Sequence, residues 1–230
     1  MNGMVIKYLF ELADGARPEL EVRLDPATLL DLSPIPEPLP DWTRLGFHQC
    51  PNCPLDPAAH RTCPAAVRVA DVIETFGALT SVDQVHVRVE GPERTTTKHT
   101  TLASGLASLL GLRLATSGCP VLAKLRPMAR FHLPFANEDE TLFRALATYL
   151  IGQLLRQQAG ETADWSLQGL KETYAAIGTV NRAFATRMRA ALSQDAGANA
   201  LVKLDLFAKA IPMELSEWLK EFAPAFEAWK

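Results

Sequence analysis

The chain has 230 residues, 48% of them hydrophobic and 21% charged, with a formal net charge of −3 and an isoelectric point near 6.0. That balance excludes a disordered chain, which needs low hydrophobicity and high net charge. It also argues against a dedicated nucleic-acid or membrane-surface binder, because there is no excess of cations to neutralise phosphates. No apolar run reaches the roughly 18 residues of a membrane span. Lys7 and Glu11 interrupt the apolar stretch Val5 to Leu12, so no secretory signal is read there and a reducing, cytoplasmic setting is expected.

In chain order, residues 4–12 read as a strand, Asp14-Gly15 as a turn, and Leu20 to Leu24 as a second strand with alternating polarity, together a β-hairpin. Prolines at 34, 36, 38 and 40 impose an extended arm: an ordered connector to the cysteine-rich loop or, in a second reading, a proline-rich ligand segment. Residues 64–76 pattern as one amphipathic helix. Val85, Val87 and Val89 then alternate with His86 and Arg88, and a β-branched run follows over 94–101, predicting a second hairpin. Leu106, Leu109, Leu110, Leu112 and Leu114 predict a helix that ends at Ser117-Gly118. Acidic residues 138–140 open a helix over 138–158. Further helices are expected at about 166–177, 180–193, 199–210 and 213–222, separated by Gly178, Gly197 and Pro212.

These elements add up to an α+β fold: an antiparallel sheet of about four strands packed against a mainly helical C-terminal half. With no clean linker in view, residues 1–230 are expected to form one domain with subregions 1–101, holding the sheet and the thiol loop, and 102–230, mainly helical.

The chemistry concentrates in four cysteines. Cys50-Pro51-Asn52-Cys53 is a two-residue-gap pair of the kind that points two sulfurs at one centre, Cys63 follows ten positions later, and Cys119 lies far downstream. Each is followed by proline, at 51, 54, 64 and 120. With 16 prolines in the chain, independent placement would give this about once in 40,000 sequences. Proline fixes its own φ and holds the preceding residue extended, which suits a cysteine at a turn or just ahead of a helix. Helices are expected after Pro64 and Pro120, with Cys63 and Cys119 at their N-caps, where the helix end favours the thiolate.

The expected function is therefore a metal-binding protein with an accessory or protein-interaction role, holding zinc through Cys50, Cys53, Cys63 and Cys119. His48 and His60 are possible substitutes for the distant Cys119. The alternative cofactor is a 4Fe-4S cluster on the same cysteines, acting in electron transfer or redox sensing. Inert buried thiols and a redox-active pair are the other readings of the same residues.

An enzyme of unknown reaction would draw on the basic segment after Cys119, with Arg126, Arg130 and His132 as its working groups; the first two share a face if the segment is α-helical despite Pro127. The plainer reading pairs those cations with Glu138, Asp139 and Glu140 and gives His132 an ordinary core position. No nucleophile elbow, phosphate loop, dinucleotide fingerprint or HExxH is present, so no catalytic residue is assigned and a non-enzyme is expected. Lys98-His99 reads as a solvent-facing strand edge or, second, as the wall of a polar pocket. Trp218, Phe222, Phe226 and Trp229 recur every three to four positions and predict a face docked onto the core or, if exposed, a homodimer contact. A protein partner is expected; nucleic acid and membrane are not.

On Cys50 to Cys53, Cys63-Pro64, Ser117-Gly118-Cys119-Pro120, Leu125 to Phe135 and Asp195 to Asp205, the chain resembles a family of bacterial proteins of about this length with no assigned activity. The resemblance implies that the four thiols belong together. It implies no catalytic residue.

Overall fold

The computed structural model describes residues 3–191 and 195–229, with the side chain of Trp229 outside the described set. Four strands, β1 (Met4–Glu11), β2 (Glu19–Leu24), β3 (Gln84–Glu90) and β4 (Thr95–Thr101), form one antiparallel sheet in the order β2-β1-β3-β4. Six α-helices accompany it among the described residues: α1 (Pro64–Arg68), α2 (Ala70–Phe76), α3 (Leu102–Thr116), α4 (Glu138–Gln158), α5 (Gln168–Ala191) and α6 (Ala196–Phe222). The expected α+β arrangement, sheet first and helices after, is the one found.

Strand alternation does what its period dictates. Ile6, Tyr8 and Phe10 of β1, Val22 and Leu24 of β2, and Val85, Val87 and Val89 of β3 are all buried on one face of the sheet. Fully burying such a side chain contributes about 1.5–3 kcal/mol. Helix α3 lies against that face. At Gly105 an added Cβ would stand 2.9 Å from Val87 Cγ2 and 3.0 Å from Phe10 Cε1, so only glycine permits this approach. The other side of α3 packs on α6, which is why leucines surround the helix instead of marking one stripe. β4, sequence TTTKHTT, has no buried residue and forms the sheet's polar edge, a composition that discourages edge-to-edge pairing. One continuous buried cluster runs from Ile6 to Trp218, so sheet and helices share a core.

Helix boundaries differ from expectation at three places. The amphipathic segment 64–76 is two helices, broken at Val69 (φ −110°, ψ 5°). The segments expected to be separated by Gly178 and by Pro212 are instead the single helices α5 and α6, with Gly197 inside the first turn of α6. A mid-helix glycine costs only about 1 kcal/mol, less than the mutual burial of two long helices returns. Gly178 also lies where the helices meet, since a Cβ there would sit 3.1 Å from Arg182 Nη1 and 3.4 Å from Asp205 Oδ1. The segment after Pro120 is a 3₁₀ helix over Leu122–Phe131, with Pro127 inside it. At three residues per turn, Arg126 and Arg130 stand a third of a turn apart and do not share a face.

α4 starts at the expected acidic residues and carries a full capping box: Glu140 N donates to Asn137 Oδ1 at 2.9 Å, and Asn137 N donates to Glu140 Oε2 at 2.8 Å. The C-terminal aromatic stripe docks on this helix. Trp218 is buried and stacks on Phe222 at 4.8 Å, Phe222 meets Phe143 edge-on at 5.9 Å, and Trp218 Nε1 donates to Asp139 at 3.1 Å. Trp229, the last member of the stripe, has its side chain outside the described residues. No helix among the described residues is long and apolar enough to cross a membrane.

Candidate functional site: the thiol loop

The loop between the proline-rich arm and α1 is closed by a short two-stranded contact. Leu45 N donates to Arg61 O at 3.1 Å, Cys63 N donates to Thr43 O at 2.8 Å, and Arg44 and Thr62 form an isolated bridge. At its tip Cys50 and Cys53 flank a tight turn, with Cys53 N donating to Cys50 O at 3.0 Å. Asn52, between them, donates from Nδ2 to Ala176 O of α5 at 2.9 Å and so fastens the turn to the helical half.

Cys63 is the residue before α1, with Pro64 at the first helical position, as expected. The backbone N–H groups of Ala66 and Ala65 favour its ionised form, while burial disfavours it more strongly and pushes the thiol up. Cys119 follows Gly118, whose φ of +88° is the left-handed turn leading out of α3. Its carbonyl accepts from Ala123 N at 2.9 Å. Burial raises the Cys119 thiol, and the N–H groups of Leu122 and Val121 oppose that rise. The Cys50 thiol is pushed up to about 12, first by burial, then by Cys63 and Cys119, with Arg187 pulling the other way and Cys53 adding a smaller push. Cys53 acts in turn on Cys63 and on Cys119. Thiols from four points of the chain thus lie within electrostatic reach of one another. None is in a disulfide.

The tertiary structure adds a residue that the sequence reading did not select. Arg187 of α5 is 1% exposed. Its Nη1 donates to Trp42 O and Arg44 O, both at 2.7 Å, and its Nη2 donates to Leu45 O at 3.1 Å. The three carbonyls belong to the segment that leads into the thiol loop. Burial pulls the guanidinium below its ordinary value, and Cys63, Cys50 and Cys53 push it back up. Among the described residues Arg187 makes no ion pair with a carboxylate, and its Nε has no hydrogen-bond partner. The sequence marks only its burial, since Arg187 sits three residues after Phe184 on the buried stripe of its helix, and not the groups it faces.

Neither histidine stands with the thiols as a partner. His48 is exposed with φ +45° and meets Phe47 edge-on at 4.8 Å, and His60 is exposed with Nδ1 3.4 Å from Asp56 O. Among the described residues no three His, Cys, Asp or Glu side chains stand in the close arrangement of a mononuclear metal site. The thiols are neighbours, but they are not closed around one point.

The residues of the enzyme reading are dispersed. Arg126 has a buried Nε with no partner among the described residues. Arg130 is exposed and shares a surface cleft with Arg94 and His132. His132 takes a hydrogen bond at 2.5 Å between Nε2 and Tyr8 Oη, and Tyr8 Oη also meets Ser108 Oγ at 2.8 Å. Burial, aided by the Arg144 charge, pushes the His132 imidazole down to about 3, and burial pushes the Tyr8 phenol up. At neutral pH the pair is therefore a neutral phenol and a neutral imidazole sharing one hydrogen bond. Of the pair Lys98-His99, His99 stacks on His86 at 4.3 Å, while Lys98 lies 5.9 Å from the Phe135 ring centroid and lines an interior cavity.

No curated protein and no solved structure matches the chain. Residues 6–227 match the family described as a domain of unknown function (DUF6901), which covers sheet, thiol loop and helices alike. The chain belongs to the DUF6901 family.

Proposed function

We propose that the protein is a metal-binding accessory protein in which Cys50, Cys53, Cys63 and Cys119 together hold one zinc ion as thiolates. The observation that carries this reading is Arg187. A buried charge is costly unless a counter-charge accompanies it, and the groups facing this guanidinium are thiols, not carboxylates. Four thiolates around a divalent ion leave two negative charges in excess, and that excess supplies what Arg187 lacks. With all four coordination positions filled by protein, the ion closes the fold and offers no position for a substrate. Its role is to tie the loop of 41–63 to the start of the 3₁₀ segment, and the surface so fixed serves a protein partner.

A second reading, a 4Fe-4S cluster on the same cysteines, draws on the spacing. The thiols influence one another without reaching the close arrangement of a mononuclear site, and a cubane cluster needs its ligands further apart than zinc does. The net charge of such a cluster with four thiolates suits Arg187 equally well.

One experiment tests both. Untagged protein purified anaerobically is assayed for zinc, iron and acid-labile sulfide. About one zinc per chain without sulfide supports the first reading. About four irons with matching sulfide and a brown colour support the second. Less than about 0.2 equivalents of any metal, unchanged after reconstitution with zinc or with iron and sulfide, overturns both.

A further inference from the structure

A cavity of about 340 Å³ opens between β4, α3, the 3₁₀ segment, α5 and α6. None of the four cysteines, nor Arg187, contributes to it. Its walls are mostly apolar, from residues such as Leu112, Leu122, Leu125, Ile177, Leu204 and Phe207. Its volume falls in the range of small-ligand sites, roughly 300–1,000 Å³. It is also about twice the ~150 Å³ of an engineered cavity that takes up benzene, room for a body of about ten carbon atoms.

The charged side chains on its wall are all of one sign. Lys98, Arg144 and Lys203 line it, and no aspartate or glutamate does. Among the described residues none of the three makes an ion pair. The Lys98 ammonium stands over the Phe135 ring at 5.9 Å, Lys203 Nζ meets only the Ser104 hydroxyl, and Arg144 Nη2 donates to the carbonyls of Met128 and Phe131 at 2.9 and 3.3 Å. Glu140, the carboxylate that acts on Arg144, is held in the capping box by Asn137 N. Elsewhere the chain pairs its cations readily, as Lys7, Arg17, Arg88 and Lys209 do.

Inside the cavity Asn181 is 4% exposed, and its side chain makes no hydrogen bond among the described residues. Its amide is therefore open to the cavity space, where a ligand's polar group can meet it. Ser108 and His132, bridged by the Tyr8 hydroxyl, stand on one wall.

We infer that this cavity binds a small amphipathic carboxylate, its apolar body of about ten carbons in the leucine-lined interior and its anionic head among Lys98, Lys203 and Arg144. The exposed lysines mark the mouth and supply the charge selection. Asn181 supplies an interior hydrogen bond to a ligand that carries an oxygen along its body.

Titration calorimetry of the full chain with decanoate, decanol and decyltrimethylammonium tests this directly. The expected result is one decanoate per chain, with decanol at least tenfold weaker and the cationic amphiphile without measurable binding. The double variant Lys98→Glu/Lys203→Glu, altered only at exposed positions, should lose at least tenfold in decanoate affinity while its thermal melting stays put. Should that variant fold poorly, Lys203→Gln alone should show a smaller loss of the same sign. No heat with decanoate up to millimolar concentration, equal binding of decanol and decanoate, or unchanged affinity in the lysine variants would each overturn the inference.

Discussion

Two arginines are buried to the same degree and live in opposite electrical surroundings. Arg113 of α3 and Arg187 of α5 are each 1% exposed. Arg113 donates to Asp71 Oδ2 at 2.7 Å, to Asp31 Oδ2 at 3.3 Å and to Glu21 O at 3.1 Å, so two carboxylates answer its charge. Arg187 has three carbonyls and, among the described residues, no carboxylate. The first ties α2, α3 and the segment after β2 together as a closed unit in charge, although its Nε, like that of Arg187, has no partner among the described residues. The second is open, and its charge faces thiols whose ionisation depends on what binds them. A buried cation in a closed unit is architecture, whereas the counter-charge of Arg187 is what the proposed thiolate site would supply.

The largest expected effect breaks this comparison at its centre. Arg113→Met strands Asp31 without its counter-ion and should cost about 3–5 kcal/mol, in metal-loaded and metal-free protein equally. Arg187→Met should cost a similar amount in loaded protein. In metal-free protein, where the raised thiols stay protonated, it should cost only about 1–3 kcal/mol for the carbonyls left unpaired. Urea denaturation of the two variants with and without chelator checks both statements, and equal costs for Arg187→Met in the two states would contradict the role given to it here.

Next in size is removal of the proposed ion itself. Chelation, or Cys119→Ser, should lower the melting temperature by several degrees and free the loop of 41–63 to proteolysis at Arg44 or Arg61. The Arg113 unit should keep its hydrogen-exchange protection throughout. Limited trypsin digestion followed by mass spectrometry reads the difference.

An effect that is smaller per pH unit appears in acid. His132 has its folded value pushed down to about 3, below the roughly 6.5 of an exposed histidine. Its stabilising contribution is therefore complete above pH 6.5 and is lost as pH falls from there toward 3, because the unfolded chain takes up the proton first. The slope is at most about 1.4 kcal/mol per pH unit for one proton. In His132→Asn that share of the acid sensitivity should vanish, as a pH series of urea midpoints would reveal.

The smallest effect is a control remote from both arginines. Asn137→Ala removes the side-chain acceptor of the α4 capping box and should cost about 1 kcal/mol, with chelator or without. A metal-dependent value there would mean that the metal stabilises the whole molecule and not the loop alone.

Much of the fold was legible along the chain because period-2 burial in β1, β2 and β3 and the acid-capped start of α4 are local signals. Gly178 and Pro212 misled because a breaker's cost is also local, while the packing of α5 on α6 that overrides it is not. The thiol site was half legible. CxxC spacing and the four Cys-Pro pairs nominate the residues, and the turn and N-cap geometry at Cys53 and Cys63 follow from the prolines. Arg187 was hidden, since an arginine on an apolar stripe shows its meaning only when its neighbours are known. His132 is half-buried against Tyr8, a partner 124 positions away that no local pattern reveals.

By itself the sequence determined the strands and most helices, since each of these depends on residues a few positions apart, and it nominated the cysteines through their shared Cys-Pro pattern. Only the tertiary structure decided that Cys119 comes within electrostatic reach of Cys50, that a guanidinium with no carboxylate partner among the described residues lies near Cys50, Cys53 and Cys63, and that three cations with no ion pair among the described residues line an apolar cavity. These are statements about distance between remote segments. Burial and Coulomb interaction act through space, and no local pattern encodes where in space a distant residue will stand.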